Sequence, residues 1–135
     1  MDEIRSCIHS RFDEVPTLMA AVRPLLDACG EESRAKAEIG IHEIVHNIIE
    51  HGYEKSPQGR IHLRAGFQDD LAWIELMDEG KPHPGYSAAS PPPVDNLLAM
   101  EVRGRGLWLI QQCFERITYT RAETQNRTVL YISIT

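Results

Sequence analysis

The chain has 135 residues, of which 42% are hydrophobic and 25% are charged, and its formal net charge at pH 7 is −6. A chain of this length typically forms one domain that buries about two-thirds of its unfolded surface, and its composition argues against wholesale disorder. A negative net charge without a stripe of basic residues argues against a protein that binds phosphate backbones generically, so no nucleic-acid partner is expected.

No apolar run reaches the length of a signal peptide or of a membrane-spanning helix, so a cytoplasmic protein without a membrane partner is expected. The three cysteines, Cys7, Cys29 and Cys113, are far apart and form no C-x-x-C pair. They are typical of reduced, mostly buried thiols and not of a disulfide framework or a zinc cage. The glycosylation sequon at residues 126–128 is interpreted as a chance match.

The first half of the chain predicts one strand followed by two helices. Residues 3–9 alternate between apolar and polar side chains, as a strand does. Over residues 13–29 the apolar positions follow helical spacing, and Gly30 marks the end of that helix. A second helix is predicted over about residues 31–51, with one apolar stripe and with Gly52 ending it.

The second half predicts two strands joined by a hairpin turn, a long loop, a short helix and two closing strands. These elements span residues 60–67, 71–78, 79–103, 106–113, 116–121 and 128–134. The loop contains five prolines, and loops longer than about 12–15 residues are typically lids, binding loops or disordered segments. Because helices interrupt the strands without βαβ alternation, the predicted class is α+β, with helices on one face of a mostly antiparallel, mixed sheet.

The segment HEIVHNIIEHGY, at the end of the second helix, can be interpreted as a zinc site. His42 and His46 lie one helical turn apart with Glu43 beside them, which is the metalloprotease pattern. Catalytic zinc needs a third protein ligand, and the metzincin continuation would place Gly at 49 and His at 52, where this chain has Ile49 and Gly52. A solvated or partner-facing helix flank is therefore the favoured interpretation of both histidines.

A second frame in the same helix places Glu43, Asn47 and His51 four residues apart, which predicts one polar stripe beside the apolar one. An amide oxygen and a carboxylate on one face can hold a magnesium ion and accept a proton, since magnesium prefers a few oxygen ligands from protein. Taken alone, the stripe is more typical of an ordinary solvated helix face.

The strand over residues 71–78 ends in Asp78-Glu79-Gly80. A carboxylate at a strand end can accept the exocyclic N–H groups of adenine, and a glycine lets the ring approach the backbone. A plain turn is the alternative interpretation of this motif.

A further glycine motif, Gly104-Arg105-Gly106, opens the predicted short helix. Glycines at a helix N-terminus leave backbone N–H groups facing an anion, and the helix dipole adds to the positive field. A flexible exit from the preceding loop is the alternative here.

In this order the motifs resemble those of the GHKL (Bergerat) ATPases: an asparagine-bearing helix, a D-x-G strand end, a variable lid and a glycine-led helix. The chain is most similar to the bacterial anti-sigma factor serine kinases of the RsbW and SpoIIAB type. HEIVHNIIEHGYE resembles their E-x-x-x-N-x-x-x-H-G helix, DEGKP their D-x-G-x-P box, and RGRGLWLI their glycine box. The resemblance implies a two-layer α/β sandwich, with residues 1–135 as one kinase domain and residues 79–103 as its ATP lid.

The resemblance also implies a role for each matching residue. Glu43 would be the general base and Asn47 the magnesium ligand. Asp78 and Gly80 would bind adenine, and Thr128 resembles the strand threonine that backs the aspartate. The remaining residues implied to contact the nucleotide are His51, Arg103, Gly104, Arg105, Gly106 and Leu107.

The implied function is that of a kinase which binds Mg-ATP and phosphorylates a serine on an anti-anti-sigma partner of the STAS type. Such kinases also sequester a sigma factor, and they form homodimers, often through the sheet and the first helix. Three alternatives remain: an ATP-binding switch without kinase activity, a fragment of a sensor histidine kinase, and the zinc metalloprotease.

Overall fold

A computed structural model of the chain describes residues 3–82 and 110–134. Five strands, two α-helices, two shorter helical turns and the helical residues 110–112 lie in these ranges. The strands are β1 (Ile4–His9), β2 (Arg60–Gln68), β3 (Leu71–Asp78), β4 (Arg116–Ala122) and β5 (Gln125–Ser133). The helices are α1 (Val15–Asp27), preceded by a 3-10 turn (Phe12–Glu14), and α2 (Glu31–Asn47), continued by a π turn (Ile48–Gly52).

The strands form one sheet in the order β1-β2-β3-β5-β4, and each neighbouring pair is antiparallel. β3 therefore lies in the middle of the sheet, with its last residue, Asp78, opposite Ile61 of β2 and Asn126 of β5. This arrangement confirms the predicted α+β class and its mostly antiparallel sheet.

Alternation along the strands separates the two faces of the sheet. Every second residue of β3, from Ala72 through Ile74 and Leu76 to Asp78, is buried on the face that carries the helices. The opposing helix residues form stripes at helical spacing, and each fully buried Leu or Ile contributes about 1.5–3 kcal/mol relative to exposure. The fully buried helix residues include Leu18, Val22, Leu25, Leu26, Ile41, Ile44 and Val45.

The predicted second helix is present, but its last turn is wider than an α-helical turn. The N–H of Tyr53 donates to the carbonyl of Ile48 at 2.8 Å, which is the five-residue spacing of a π turn. Lys55 then donates to the carbonyl of Ile49 at 2.8 Å, and both Glu54 and Lys55 adopt positive φ. The chain thus leaves the helix abruptly after Gly52.

Two details differ from the sequence-based expectations. β5 begins at Gln125, three residues before the predicted start, because the preceding turn is short and Asn126 pairs with Asp78.

The three cysteines form no disulfide, but Cys7 is exposed, whereas Cys29 is buried and Cys113 is intermediate. Alternation in β1 places Cys7 on the sheet face away from the helices, so the prediction of a mostly buried thiol was wrong at this position.

Of the predicted loop over residues 79–103 and helix over residues 106–113, only residues 79–82 and 110–113 are described. Residues 110–112 are helical, in agreement with the prediction for that segment. Among the helices in the described ranges, none has the length and apolar character needed to cross a membrane.

Candidate nucleotide site

Asp78, at the end of the central strand, is 2% exposed on the helix-covered side of the sheet. Its Oδ1 accepts a hydrogen bond from the N–H of Gly80 at 2.9 Å and another from Nδ2 of Asn126 at 2.9 Å. These two donors fix the orientation of a buried carboxylate, which makes it a precise acceptor for the N–H groups of a ligand.

Asn126 is fully buried and holds the backbone that follows β3. Its Nδ2 also donates to the carbonyl of Gly80 at 3.0 Å and to that of Lys81 at 3.3 Å. Its Oδ1 accepts from the hydroxyl of Tyr119 and, at 2.9 Å, from a guanidinium nitrogen of Arg121. The same Arg121 nitrogen donates to the Gly80 carbonyl at 2.9 Å, so β4 and β5 together position the D-x-G segment.

Sequence reasoning missed Asn126, which it interpreted only as part of a chance sequon. Alternation in β5 did carry a signal: Asn126 and Thr128 share the face of Leu130 and Ile132, and all four residues are buried. Two polar residues on an otherwise apolar strand face indicate a hydrogen-bonded network or a ligand site. Their burial also makes the sequon inaccessible in the folded chain.

Thr128 lies beside Asp78 on the same face of the sheet. It pairs with Leu76, two residues before Asp78 on β3, and it is fully buried. Its Oγ1 has no hydrogen-bond partner in the described part of the chain. A buried hydroxyl without a partner costs about 1–3 kcal/mol, so such a group in a native protein is typical of a site that a ligand or water completes.

The end of α2 touches the start of the segment after β3. The N–H of Lys81 donates to the carbonyl of Gly52 at 2.8 Å. On the other side, the hydroxyl of Tyr53 donates to the carbonyl of Arg60 at 2.6 Å and accepts from the N–H of Glu79 at 2.7 Å. Burial raises the pKa of Tyr53, which keeps this bridging hydroxyl protonated.

The predicted polar stripe of α2 runs toward this junction. Asn47 is the last residue of the α-helix and Glu43 lies one turn before it, and both side chains are half-buried. His51 falls in the π turn, is exposed, and has its Nε2 3.9 Å from a carboxylate oxygen of Glu50. Glu43 and Asn47 are thus partly sheltered, whereas His51 is turned to solvent.

The two histidines of the zinc interpretation stack on each other. The ring centroids of His42 and His46 are 4.4 Å apart, and Phe12 lies 4.9 Å from His46. Burial, reinforced by the neighbouring His42, lowers the pKa of His46. Among the described residues, no group of three or more His, Cys, Asp or Glu side chains could hold a metal ion. The pair forms part of an aromatic helix surface in this structure.

The residues predicted to hold the phosphates cannot be placed against this geometry. Arg103, Gly104, Arg105, Gly106 and Leu107 all lie outside the described residues. The described part of the site therefore comprises Asp78 with its partners and the helix that carries Glu43 and Asn47.

Comparisons with known proteins agree with this arrangement. A sequence model of the histidine kinase-like ATPase domain matches residues 8–133. The anti-sigma F factor of Bacillus licheniformis is 24% identical over 115 residues, which cover 85% of this chain and 75% of the relative.

Two solved structures share the fold. The RsbU and RsbW domains of Rv1364c from Mycobacterium tuberculosis match with a TM-score of 0.69 at 16% identity, over 98% of this chain. This chain spans only 32% of that longer one. The Acinetobacter baumannii histidine kinase AdeS matches with a TM-score of 0.54 at 14% identity, over 100% of this chain and 70% of that one.

The family match includes both α2 and the strand that ends in Asp78, which are the elements that build the site described above. The chain belongs to the histidine kinase-like ATPase domain family, within which it resembles the anti-sigma factors of the RsbW and SpoIIAB type.

Proposed function

We propose that this protein binds Mg-ATP and transfers the γ-phosphoryl group to a serine on a STAS-type anti-anti-sigma partner. The observation that carries the proposal is a buried, oriented carboxylate at Asp78 on the same sheet face as the Thr128 hydroxyl, which has no hydrogen-bond partner among the described residues. The N–H of Lys81, three residues after Asp78, donates to the carbonyl of Gly52 in the π turn that continues the helix bearing Glu43 and Asn47.

The adenine end fits the donor and acceptor pattern of an adenine ring. The Asp78 carboxylate can accept from the exocyclic amino group, and the Thr128 hydroxyl can donate to or accept from a ring atom or a bridging water. Gly80 packs directly against the backbone of Gly52, where a β-carbon would lie 2.7 Å from the Gly52 carbonyl carbon. Glycine at this position therefore lets the strand end and the π turn meet beside Asp78.

The catalytic end requires a proton acceptor and a ligand for the metal. Mg-ATP supplies the transferable phosphoryl group, and phosphoryl transfer depends mainly on positioning and on neutralising charge. In this proposal Asn47 holds the magnesium through its amide oxygen, and Glu43 accepts the hydroxyl proton of the incoming serine. Gly104 and Gly106, with Arg103 or Arg105 beside them, hold the phosphates.

The likeness to an anti-sigma F factor supports a role in partner switching. In one state the protein binds a sigma factor. In the other state it binds the STAS partner, and phosphorylation of that partner weakens this binding. A homodimer is part of the proposal.

The deciding experiment combines nucleotide titration with phosphorylation of a STAS partner by labelled ATP. Glu43→Ala should keep Mg-ATP binding and abolish transfer, whereas Asn47→Ala should lose magnesium-dependent binding. Glu38→Ala, earlier on α2, is the matched control and should preserve both activities.

The outcomes separate the alternatives. Normal phosphorylation by Glu43→Ala would show that the assigned base is wrong. Nucleotide binding without any labelled serine in the native protein would support a switch that uses ATP without kinase activity. Stoichiometric zinc in the purified protein would restore the metalloprotease interpretation.

A further inference from the structure

Cys7 is exposed on the sheet face opposite the helices, where the alternation of β1 places it. A free cysteine is among the most buried residue types, because its side chain behaves as a small apolar group. Packing therefore does not explain the cysteine at this position.

Two other residues with metal-binding side chains lie in the same row across the sheet. Cys7 of β1 is opposite His62 of β2, which is in turn opposite Met77 of β3. Directly opposite residues have Cβ atoms about 4.5–5.5 Å apart, so the three side chains stand side by side on one face. They also line one depression of about 560 Å³. The row thus brings together a thiol, an imidazole and a thioether.

The spacing of the first two groups fits a shared ion. Sγ of Cys7 lies 3.9 Å from Nε2 of His62. Metal bonds of about 2.3 Å to sulfur and about 2.0 Å to nitrogen would join these atoms through one ion at an angle of about 130°. That angle is close to the angle of about 120° in a three-coordinate, trigonal site. Met77 has a flexible, unbranched side chain, so its thioether can reach the third position.

The ligand types select the ion. Structural zinc takes four ligands from Cys, His, Asp and Glu side chains, and this row supplies only two of them. The described part of the chain accordingly contains no group of three such residues that could hold a metal ion. A thiolate and a thioether together favour a soft ion, and copper(I) is the first-row ion that accepts both.

The charges around the row favour a monovalent ion. Arg5 and Arg64 line the same depression. Glu3 binds both arginines, at 2.7 and 2.8 Å, and Glu75 binds Arg64 at 3.3 Å. A monovalent ion bound to a thiolate adds no net charge beside the arginines, whereas a divalent ion would add one positive charge and be repelled.

We propose that Cys7, His62 and Met77 form a binding site for copper(I) on the sheet face opposite the helices. The thiol of Cys7 releases its proton to water as its sulfur binds the ion, and the imidazole and thioether bind as neutral ligands. All three ligands come from one chain, so the site is complete without a second copy. Because the ion joins the edge strand β1 to β2 and β3, its binding should stabilise the folded chain.

The test is an anaerobic titration of the full chain with copper(I) in competition with a colorimetric chelator. One ion per chain is expected. Cys7→Ser should weaken binding at least about a hundred-fold, because it removes the anionic ligand. His62→Gln and Met77→Leu should each weaken it about ten-fold. Copper(I) should also raise the Tm of the native chain and leave that of Cys7→Ser unchanged.

Two variants serve as matched controls and should bind copper(I) as the native chain does. Cys113→Ser removes a thiol outside the row. His9→Gln removes a histidine from the same face of β1, whose Nδ1 lies 3.4 Å from a carboxylate oxygen of Glu14. Circular dichroism checks that every variant is folded.

X-ray absorption at the copper edge provides a second readout. Two sulfur ligands and one nitrogen ligand are expected in the native chain, and one sulfur ligand fewer in Met77→Leu.

Five results would overturn the proposal. The first two are a native chain that binds no copper(I) and unchanged affinity in the double variant His62→Gln, Met77→Leu, which would show that a thiol alone binds the ion. The third is a native absorption spectrum with a single sulfur ligand. The fourth is tighter binding of zinc than of copper(I) at Cys7. The fifth is one ion for two chains in sedimentation, which would place the ion between two copies.

Discussion

The backbone of Gly52, at the end of the π turn, lies so close to Gly80 that a β-carbon on Gly80 would sit 2.7 Å from the Gly52 carbonyl carbon. The contact joins two of the sequence motifs, the helix that ends in His-Gly and the strand that ends in Asp-x-Gly. This contact fixes the position of the Asp78 carboxylate relative to the helix that bears Glu43 and Asn47. The site therefore depends on a backbone contact that only glycine permits.

Gly80→Ala is expected to destabilise the fold by about 1–3 kcal/mol, because the new methyl group meets backbone atoms that cannot rotate away. Nucleotide affinity should fall with it, since the Asp78 loop must shift. Gly52→Ala is the matched control, because its β-carbon would meet nothing nearer than 3.8 Å. Urea unfolding and ATP titration of both variants measure the difference, and equal effects would contradict the contact.

Asn126→Ala is expected to cost about 2–4 kcal/mol, because the Asp78 carboxylate and the carbonyls of Gly80 and Lys81 each lose a hydrogen bond from the buried Asn126 amide. Tyr119→Phe removes only one donor to Asn126 and should cost about 1 kcal/mol. Denaturant unfolding gives both values. An Asn126→Ala variant as stable as Tyr119→Phe would mean that the network does not hold the D-x-G segment.

Thr128→Val should separate stability from binding. The buried hydroxyl has no partner in the described part of the chain, so its near-isosteric replacement should leave the free energy of unfolding unchanged or raise it. ATP affinity should nevertheless fall about ten-fold, the effect of losing one good hydrogen bond to the ligand. Thr118→Val, on the sheet face opposite the helices, serves as the control. Unchanged affinity in Thr128→Val would remove Thr128 from the site.

Acid should weaken the fold through His46. Burial and the nearby His42 lower its pKa below the ordinary value of 6.5, so the unfolded chain binds the proton more readily than the folded one. The stabilising contribution is complete above pH 6.5 and is lost as the pH falls through the folded pKa.

His46→Gln should flatten this pH dependence, and His42→Gln should reduce it by removing the second cause of the lowered pKa. Unfolding free energies measured between about pH 5 and 8, where histidine titrates, test both variants. A native pH dependence that persists in His46→Gln would assign the effect to another group.

Local patterns in the chain determined most of the elements. The second helix has an apolar stripe, residues 60–67 alternate, and residues 71–78 form an apolar run typical of a central strand; the structure confirms all three elements. The same patterns put Glu43 and Asn47 on one helix and Asp78 at a strand end. These are properties of neighbouring residues, so sequence spacing alone determined them.

Tertiary structure alone decided which of these residues meet. Asn126 contacts Asp78 across 48 positions because packing sets the strand order β1-β2-β3-β5-β4. The same order brings arginines from four strands onto the sheet face opposite the helices, namely Arg5, Arg60, Arg64, Arg116 and Arg127. Periodicity assigns each side chain to a face of its own strand, but it carries no information about which strand lies alongside, because that choice depends on burying the helices' apolar stripes against the sheet.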